Sequence, residues 1–130
     1  ETTKKIKAAI FCRTSSNLHQ WSDATMVSGG GSVADWDNWY GGDAECPHVV
    51  KYDNTYVLFR NIRYGENNLN VQYCSRDPLN FGIDTDSLMV NQLPIAAPEI
   101  IEYNNGYYIA SLKTTLDGIK MARLEFTAVE

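Results

Sequence analysis

The pattern of apolar and polar positions along the chain predicts short β-strands separated by polar turns. The clearest pair is residues 47–52 and 56–59, which are rich in β-branched and aromatic side chains and are joined by Asp53-Asn54. Pro47 suits the first position of a strand, because its missing N–H breaks no ladder hydrogen bond there. These residues therefore predict a β-hairpin, with Glu45 at its entrance.

The same arrangement of strands occurs more than once. Phe11-Cys12 matches Tyr73-Cys74 at a shift of 62 (73 − 11), and Asp23 matches Asp86 at a shift of 63 (86 − 23). The hairpin residues 47–56 match residues 98–107 at a shift of 51 (98 − 47), since both read Pro, then Tyr, three residues that include the turn, and Tyr. A period of this size that contains four short strands is typical of a propeller blade.

The sequence thus predicts an all-β fold, a β-propeller with about two and a half four-stranded antiparallel blades in one domain over residues 1–130. With the strands of a blade named A to D, residues 6–27 supply C and D, residues 47–90 a complete blade, and residues 98–126 strands A to C. Nine strands follow and no helix is needed. Five blades would take about 300 residues, so we expect a fragment, or one of two chains of a cut protein.

The candidate catalytic and binding residues lie at one end of the predicted blades. In an antiparallel blade the D-to-A and B-to-C connections lie at the same end. Loops that carry carboxylates, arginines and aromatic rings on a rigid scaffold are typical of a ligand site. The set consists of Glu45 and Glu99, Arg60 and Arg63, and Trp36, Trp39 and Tyr40 of the glycine-rich segment 28–44.

Composition narrows the classes of partner. A net charge of −5 and a pI near 4.9 argue against a nucleic-acid partner, because such binding depends on Lys and Arg that neutralise phosphates. No apolar run approaches 18 residues, so no membrane span is expected, and no export signal is visible at the start of the sequence. Localisation stays open.

Cysteine and histidine spacing predicts no cofactor and no metal. Cys12, Cys46 and Cys74 are odd in number and lack a C-x-x-C spacing, which predicts free buried thiols. His19 and His48 have no ligand spacing either.

Four motifs stand out together: Ala44-Glu45-Cys46-Pro47, Arg60 to Gly65, Asp77-Pro78-Leu79-Asn80-Phe81-Gly82, and Ala96-Ala97-Pro98-Glu99-Ile100-Ile101. They resemble the C-terminal half of a five-bladed β-propeller glycoside hydrolase of the family 32 and 43 clan, which includes β-fructosidases and arabinan- and xylan-acting enzymes. In family 32 a Glu-Cys pair at the entrance of the third blade carries the general acid/base, and this motif falls on Glu45-Cys46.

The resemblance does not extend to every catalytic motif. The nucleophile and a stabilising aspartate of family 32 belong to the first two blades, and no stretch of this chain matches the nucleophile motif. Arg76-Asp77-Pro78 is similar to the stabiliser motif, but it follows Glu45 and lies in a C-to-D loop, so we interpret it as a structural turn. The chain alone is therefore expected to be catalytically incomplete.

The resemblance implies a glycosidase for furanoside-type oligo- or polysaccharides, fructan-like or arabinan- or xylan-like, with Glu45 as general acid/base. The repeat supports this role, because the partner of Glu45 is Ala96 (96 − 45 = 51) and the scaffold needs no carboxylate there. A solvated loop glutamate is the alternative. Glu99 is either a ligand of substrate hydroxyls or a salt-bridged glutamate.

The other candidates have two interpretations as well. Arg60 and Arg63 either bind sugar hydroxyls, or hold Glu45 by charge-assisted hydrogen bonds, or form structural pairs. Trp36, Trp39 and Tyr40 either stack on a sugar ring or pack in the core. The expected partners are a carbohydrate substrate and either the missing N-terminal propeller half or another copy of the chain. A non-catalytic carbohydrate-binding or structural propeller is the alternative function, since a fold does not determine function.

Overall fold

A computed structural model describes residues 8–29 and 44–128, so Trp36, Trp39 and Tyr40 lie outside the described residues. The described chain is all-β, as predicted. Apart from one short 3₁₀ helix at Gly65–Asn67, its elements are nine strands: β1 (Ala9–Cys12), β2 (Thr25–Gly29), β3 (Glu45–Tyr52), β4 (Thr55–Arg63), β5 (Leu69–Ser75), β6 (Met89–Leu93), β7 (Ala96–Tyr103), β8 (Gly106–Leu112) and β9 (Ile119–Leu124). The described residues include no helix with the length and hydrophobicity that a membrane span requires.

The nine strands form three antiparallel sheets that follow one another along the chain. The first sheet is β1-β2, the middle sheet is β3-β4-β5-β6, and the third sheet is β7-β8-β9. Each sheet is a meander of sequential neighbours, and none closes on itself. Several strands extend beyond their predicted limits: β4 runs on to Arg63 instead of ending near Phe59, β3 begins at Glu45 instead of Pro47, and β7 begins at Ala96 instead of Pro98.

The middle sheet has a hydrophobic core on each face. Because successive side chains of a strand point to opposite faces, neighbouring residues of β4 enter different cores. The core against the first sheet contains Ile10, Val27, Leu58, Ile62, Val71, Tyr73 and Phe81. The core against the third sheet contains Val57, Phe59 and Ile109, with Val50, Ile100 and Leu124 packed around them. The middle sheet is therefore the layer to which both other sheets attach.

The loop after β5 connects the middle sheet to the first. The Phe81 N–H donates to the Val27 carbonyl at 2.6 Å, and the Gly29 N–H donates to the Gly82 carbonyl at 3.1 Å. The loop is shaped by Asp77, whose Oδ1 accepts from the Leu79 N–H at 2.9 Å. This local hydrogen bond is the behaviour of an aspartate in a structural turn.

Candidate functional site

Glu45 is the first residue of β3, and its side chain is exposed. It lies opposite Asn61 in the β3–β4 register, and a bulge interrupts that register between Glu45 and His48. Cys46, inside the bulge, has a φ of 43°, an uncommon value for a residue other than glycine. The bulge re-aims the chain at the point where the candidate acid is attached.

The third sheet repeats this bulge without the carboxylate. In β7 the register shifts between Ala96 and Glu99, and Ala97 has a φ of 46°, close to that of Cys46. In both bulges the residue with the positive φ is followed by a proline, Pro47 or Pro98. Since Ala96 occupies the place of Glu45 and is buried, the backbone distortion belongs to the repeated scaffold. Glu45 is a carboxylate added to a position where the scaffold does not need one.

The Tyr64 side chain is hydrogen-bonded to the Glu45-Cys46 pair. Sequence reasoning included Tyr64 only as part of a motif. Its hydroxyl lies 3.1 Å from the Sγ of Cys46, and either atom can be the donor. Burial, and then the hydrogen bonds to Cys46 and Glu45, raise the pKa of Tyr64 above its ordinary value. The phenol is therefore neutral at physiological pH and holds the Glu45-Cys46 pair from the loop that follows β4. The sequence signal for this residue is a tyrosine that directly follows Arg63, the last residue of β4.

Asn61 joins the two bulges, and it was not among the predicted site residues. Its side chain is fully buried, and its Oδ1 accepts from the Ala97 N–H at 3.0 Å. Its Nδ2 donates to the Arg63 carbonyl at 3.5 Å. Asn61 thus links the strand opposite Glu45 to the equivalent bulge of the third sheet, so the two sheets hold the site in a common frame.

Glu99 lies near the same end, in the β7 bulge, and contacts the middle sheet. Its Oε2 is 3.5 Å from Nδ1 of His48, and 76% of its side chain is exposed. This contact is an ion pair only when His48 is protonated. It favours the interpretation of Glu99 as a paired glutamate, although the carboxylate is still open to solvent.

Arg60 is directed away from Glu45, into the core between the first and middle sheets. The residue is 1% exposed, its Nη1 donates to Ser28 Oγ at 3.2 Å, and its Nη2 donates to the Ala8 carbonyl at 3.3 Å. A guanidinium in this position is out of reach of a sugar in solvent, so the structure favours the structural interpretation. Arg63 is half-buried at the end of β4, and its carbonyl accepts the hydrogen bond from Asn61 Nδ2.

The thiols only partly follow the prediction. All three cysteines are free, and Cys12 and Cys74 are half-buried, but Cys46 is exposed. The prediction of a buried thiol at Cys46 was wrong, because the bulge carries this residue out of the sheet. Among the described residues, no group of three or more His, Cys, Asp or Glu side chains could hold a metal ion.

Two cavities lie elsewhere in the described fold. One, of about 370 Å³, lies between the middle and third sheets and is lined by Val57, Phe59, Leu93 and Phe126 among others. The other, of about 310 Å³, lies at the hairpin ends, beside Tyr52 and Tyr107. Neither of these two cavities is lined by Glu45.

Comparison of the chain with protein-family models, with curated proteins and with solved structures found no match.

Proposed function

We propose that the chain is part of a glycoside hydrolase for furanoside-type oligo- or polysaccharides, built on a propeller-type stack of sheets, with Glu45 as its general acid/base. The observation that carries the proposal is the pair of equivalent bulges, of which one bears Glu45 and the other bears Ala96. An exposed carboxylate at a rigid, distorted strand start, where the scaffold itself uses alanine, has a function other than folding.

The chemistry requires a carboxylic acid that protonates the leaving oxygen and a second carboxylate that acts at the anomeric carbon. Glu45 supplies the first group. Tyr64 orients its carboxyl group by a hydrogen bond, and a second hydrogen bond joins the Tyr64 hydroxyl to Cys46. The second carboxylate comes from outside the motifs of this chain, from a missing N-terminal propeller half or from another copy.

The remaining candidates have supporting roles in this proposal. Glu99, with its exposed carboxylate, and Arg63 bind substrate hydroxyls at the same end of the sheets. Trp36, Trp39 and Tyr40 form a stacking platform for a sugar ring. Arg60 has no contact with the substrate and stabilises the core between the first and middle sheets.

The test is Glu45→Gln in the assembly that hydrolyses a furanoside. The variant keeps the shape of the side chain and removes proton donation, so turnover of substrates with poor leaving groups should fall by about 10² to 10⁴-fold. Aryl furanosides with good leaving groups need less proton donation and should lose far less. The measurement is kcat for both substrate types, with Glu66→Gln, an exposed glutamate of the neighbouring loop, as the matched control.

Equal losses for both leaving groups would remove Glu45 from the acid role. A non-catalytic carbohydrate-binding propeller is the second candidate, and the pairing of Glu99 with His48, which occupies a carboxylate near the site, favours it. That alternative predicts oligosaccharide binding without hydrolysis, and binding that Glu45→Gln does not abolish.

A further inference from the structure

The sheets stack in a constant direction along the chain, and the last sheet ends with an exposed apolar face. The third sheet packs Ile100 and Ile109 against the middle sheet. The residues that alternate with Ile100 and Ile109 along their strands lie on the other face of the third sheet, which we call the trailing face. The exposed apolar side chains of the trailing face are Ile101, Tyr103, Ile119 and Met121.

The repeat shows what the trailing face is shaped for. At the shift of 51 residues, Ile101 corresponds to Val50 and Tyr103 corresponds to Tyr52. In the middle sheet both equivalents contact the third sheet: the partly buried Val50 packs at the second core, and the Tyr52 ring, although 42% exposed, stacks on Phe126 with centroids 4.7 Å apart. The trailing face therefore carries the side chains that this scaffold packs against a following sheet.

The first sheet exposes the complementary kind of face. Ile10 and Val27 point into the core with the middle sheet, as a sheet that is followed by another requires. Phe11 and Met26, which lie opposite each other in the β1–β2 register, point the other way and are 57% and 39% exposed. We call these two residues the leading face, because it is the side from which a preceding sheet would stack.

We propose that the trailing face of one chain binds the leading face of a second copy, so that the copies associate head to tail. Both internal interfaces of the described stack join a trailing face to a leading face, and the two exposed faces are one of each kind. They lie at opposite ends of the stack, so a second copy extends an interface that the chain already makes twice. An interface of this kind is heterologous, and it produces either a closed ring or an open chain of copies.

Pairing of two β9 edges is disfavoured by charge. The strand reads Ile-Lys-Met-Ala-Arg-Leu, with Lys120 and Arg123 and no acidic residue. Two copies paired edge to edge along β9 would bring these cations together, and like charges on paired strands are destabilising. Stacking of faces does not require that approach.

The experiment is sedimentation of the full chain over a range of concentrations, with one charged variant on each face. The wild type should associate reversibly. Met121→Lys on the trailing face and Phe11→Lys on the leading face should each weaken association at least tenfold, because each places a charge in an apolar contact. Leu116→Lys, an exposed leucine in the turn between β8 and β9, is the matched control and should associate as the wild type does.

Mixing the two variants distinguishes the head-to-tail arrangement. The Met121→Lys chain keeps an intact leading face and the Phe11→Lys chain keeps an intact trailing face, so an equimolar mixture should form a 1:1 dimer that neither variant forms alone. Far-UV circular dichroism verifies the fold, and Met26→Lys or Ile119→Lys replaces a variant that does not fold.

Three results would overturn the proposal: a wild type that stays monomeric at every concentration, a Phe11→Lys chain that associates like the wild type, or a mixture that stays monomeric. Glu45 lies on neither face, so this association can fail or succeed independently of the catalytic proposal.

Discussion

At the scale of single residues, burial separates candidates that look equivalent in the sequence. Arg60 and Arg63 are three positions apart and were both predicted to bind a sugar or to form structural pairs. Only the side-chain direction on β4 decides between these roles, and it places Arg60 in a core while Arg63, the last residue of the strand, is half-buried. Tyr73 is buried on the same scale as Arg60: it is 1% exposed, and its hydroxyl donates to Asp86 Oδ1 at 3.2 Å.

Tyr73 should make stability depend on pH in the alkaline range. Burial raises the pKa of Tyr73 to about 12, so above pH 10 the unfolded chain loses this proton while the folded chain keeps it. The free energy of unfolding should therefore fall as the pH rises from about 10 to about 12, by roughly 2–3 kcal/mol from this group. Urea unfolding at a series of pH values should show a shallower decline for Tyr73→Phe. Parallel curves for the two proteins above pH 10 would contradict this account.

At the scale of elements, the strands and their order were predictable, and the bulges were not. Hairpins with Asx-rich turns and the internal repeat are local patterns, which sequence alone displays. A bulge depends on the register that two strands adopt. It also depends on distant contacts, such as the hydrogen bond from the Ala97 N–H to Asn61, 36 residues away. Sequence reasoning therefore placed Glu45 at the entrance of the hairpin, although β3 begins at Glu45 itself and not at Pro47, and it missed Asn61 and the hydrogen bonding of Tyr64.

The repeated bulge gives a test by glycine substitution. Ala97 has a positive φ, at which a Cβ is strained, so Ala97→Gly should raise the free energy of unfolding by about 0.5–1 kcal/mol. Ala96→Gly is the control, since Ala96 is buried in the strand and its loss should destabilise by about 1 kcal/mol. Urea unfolding midpoints measure both changes. If Ala97→Gly destabilises as much as Ala96→Gly, the φ of Ala97 is not a source of strain.

At the scale of the whole molecule, the first and third sheets both depend on the middle sheet. Both cores are built on the two faces of β4, so neither the first nor the third sheet can keep its core once the middle sheet opens. The described chain should therefore behave as one cooperative unit, even though its sheets are separate hydrogen-bonded layers.

Leu58→Ala tests this cooperativity. Leu58 is fully buried in the core with the first sheet, and truncation should lower the free energy of unfolding by about 2–5 kcal/mol. Amide hydrogen exchange should accelerate by a similar factor in β2 and in β8, although β8 belongs to the third sheet and Leu58 is not in its core. Unchanged protection of β8 would show that the sheets open independently.

The sequence by itself determined the all-β class, the three groups of strands and the position of Glu45 relative to its alanine counterpart, because these follow from side-chain alternation, turn residues and an internal repeat. Tertiary structure alone decided that Arg60 is buried, that Glu99 contacts His48, that Cys46 is exposed and that Tyr64 and Asn61 surround the candidate acid. These features arise between residues far apart in the chain, where the packing of one sheet on the next determines which polar groups find partners and which apolar faces stay uncovered.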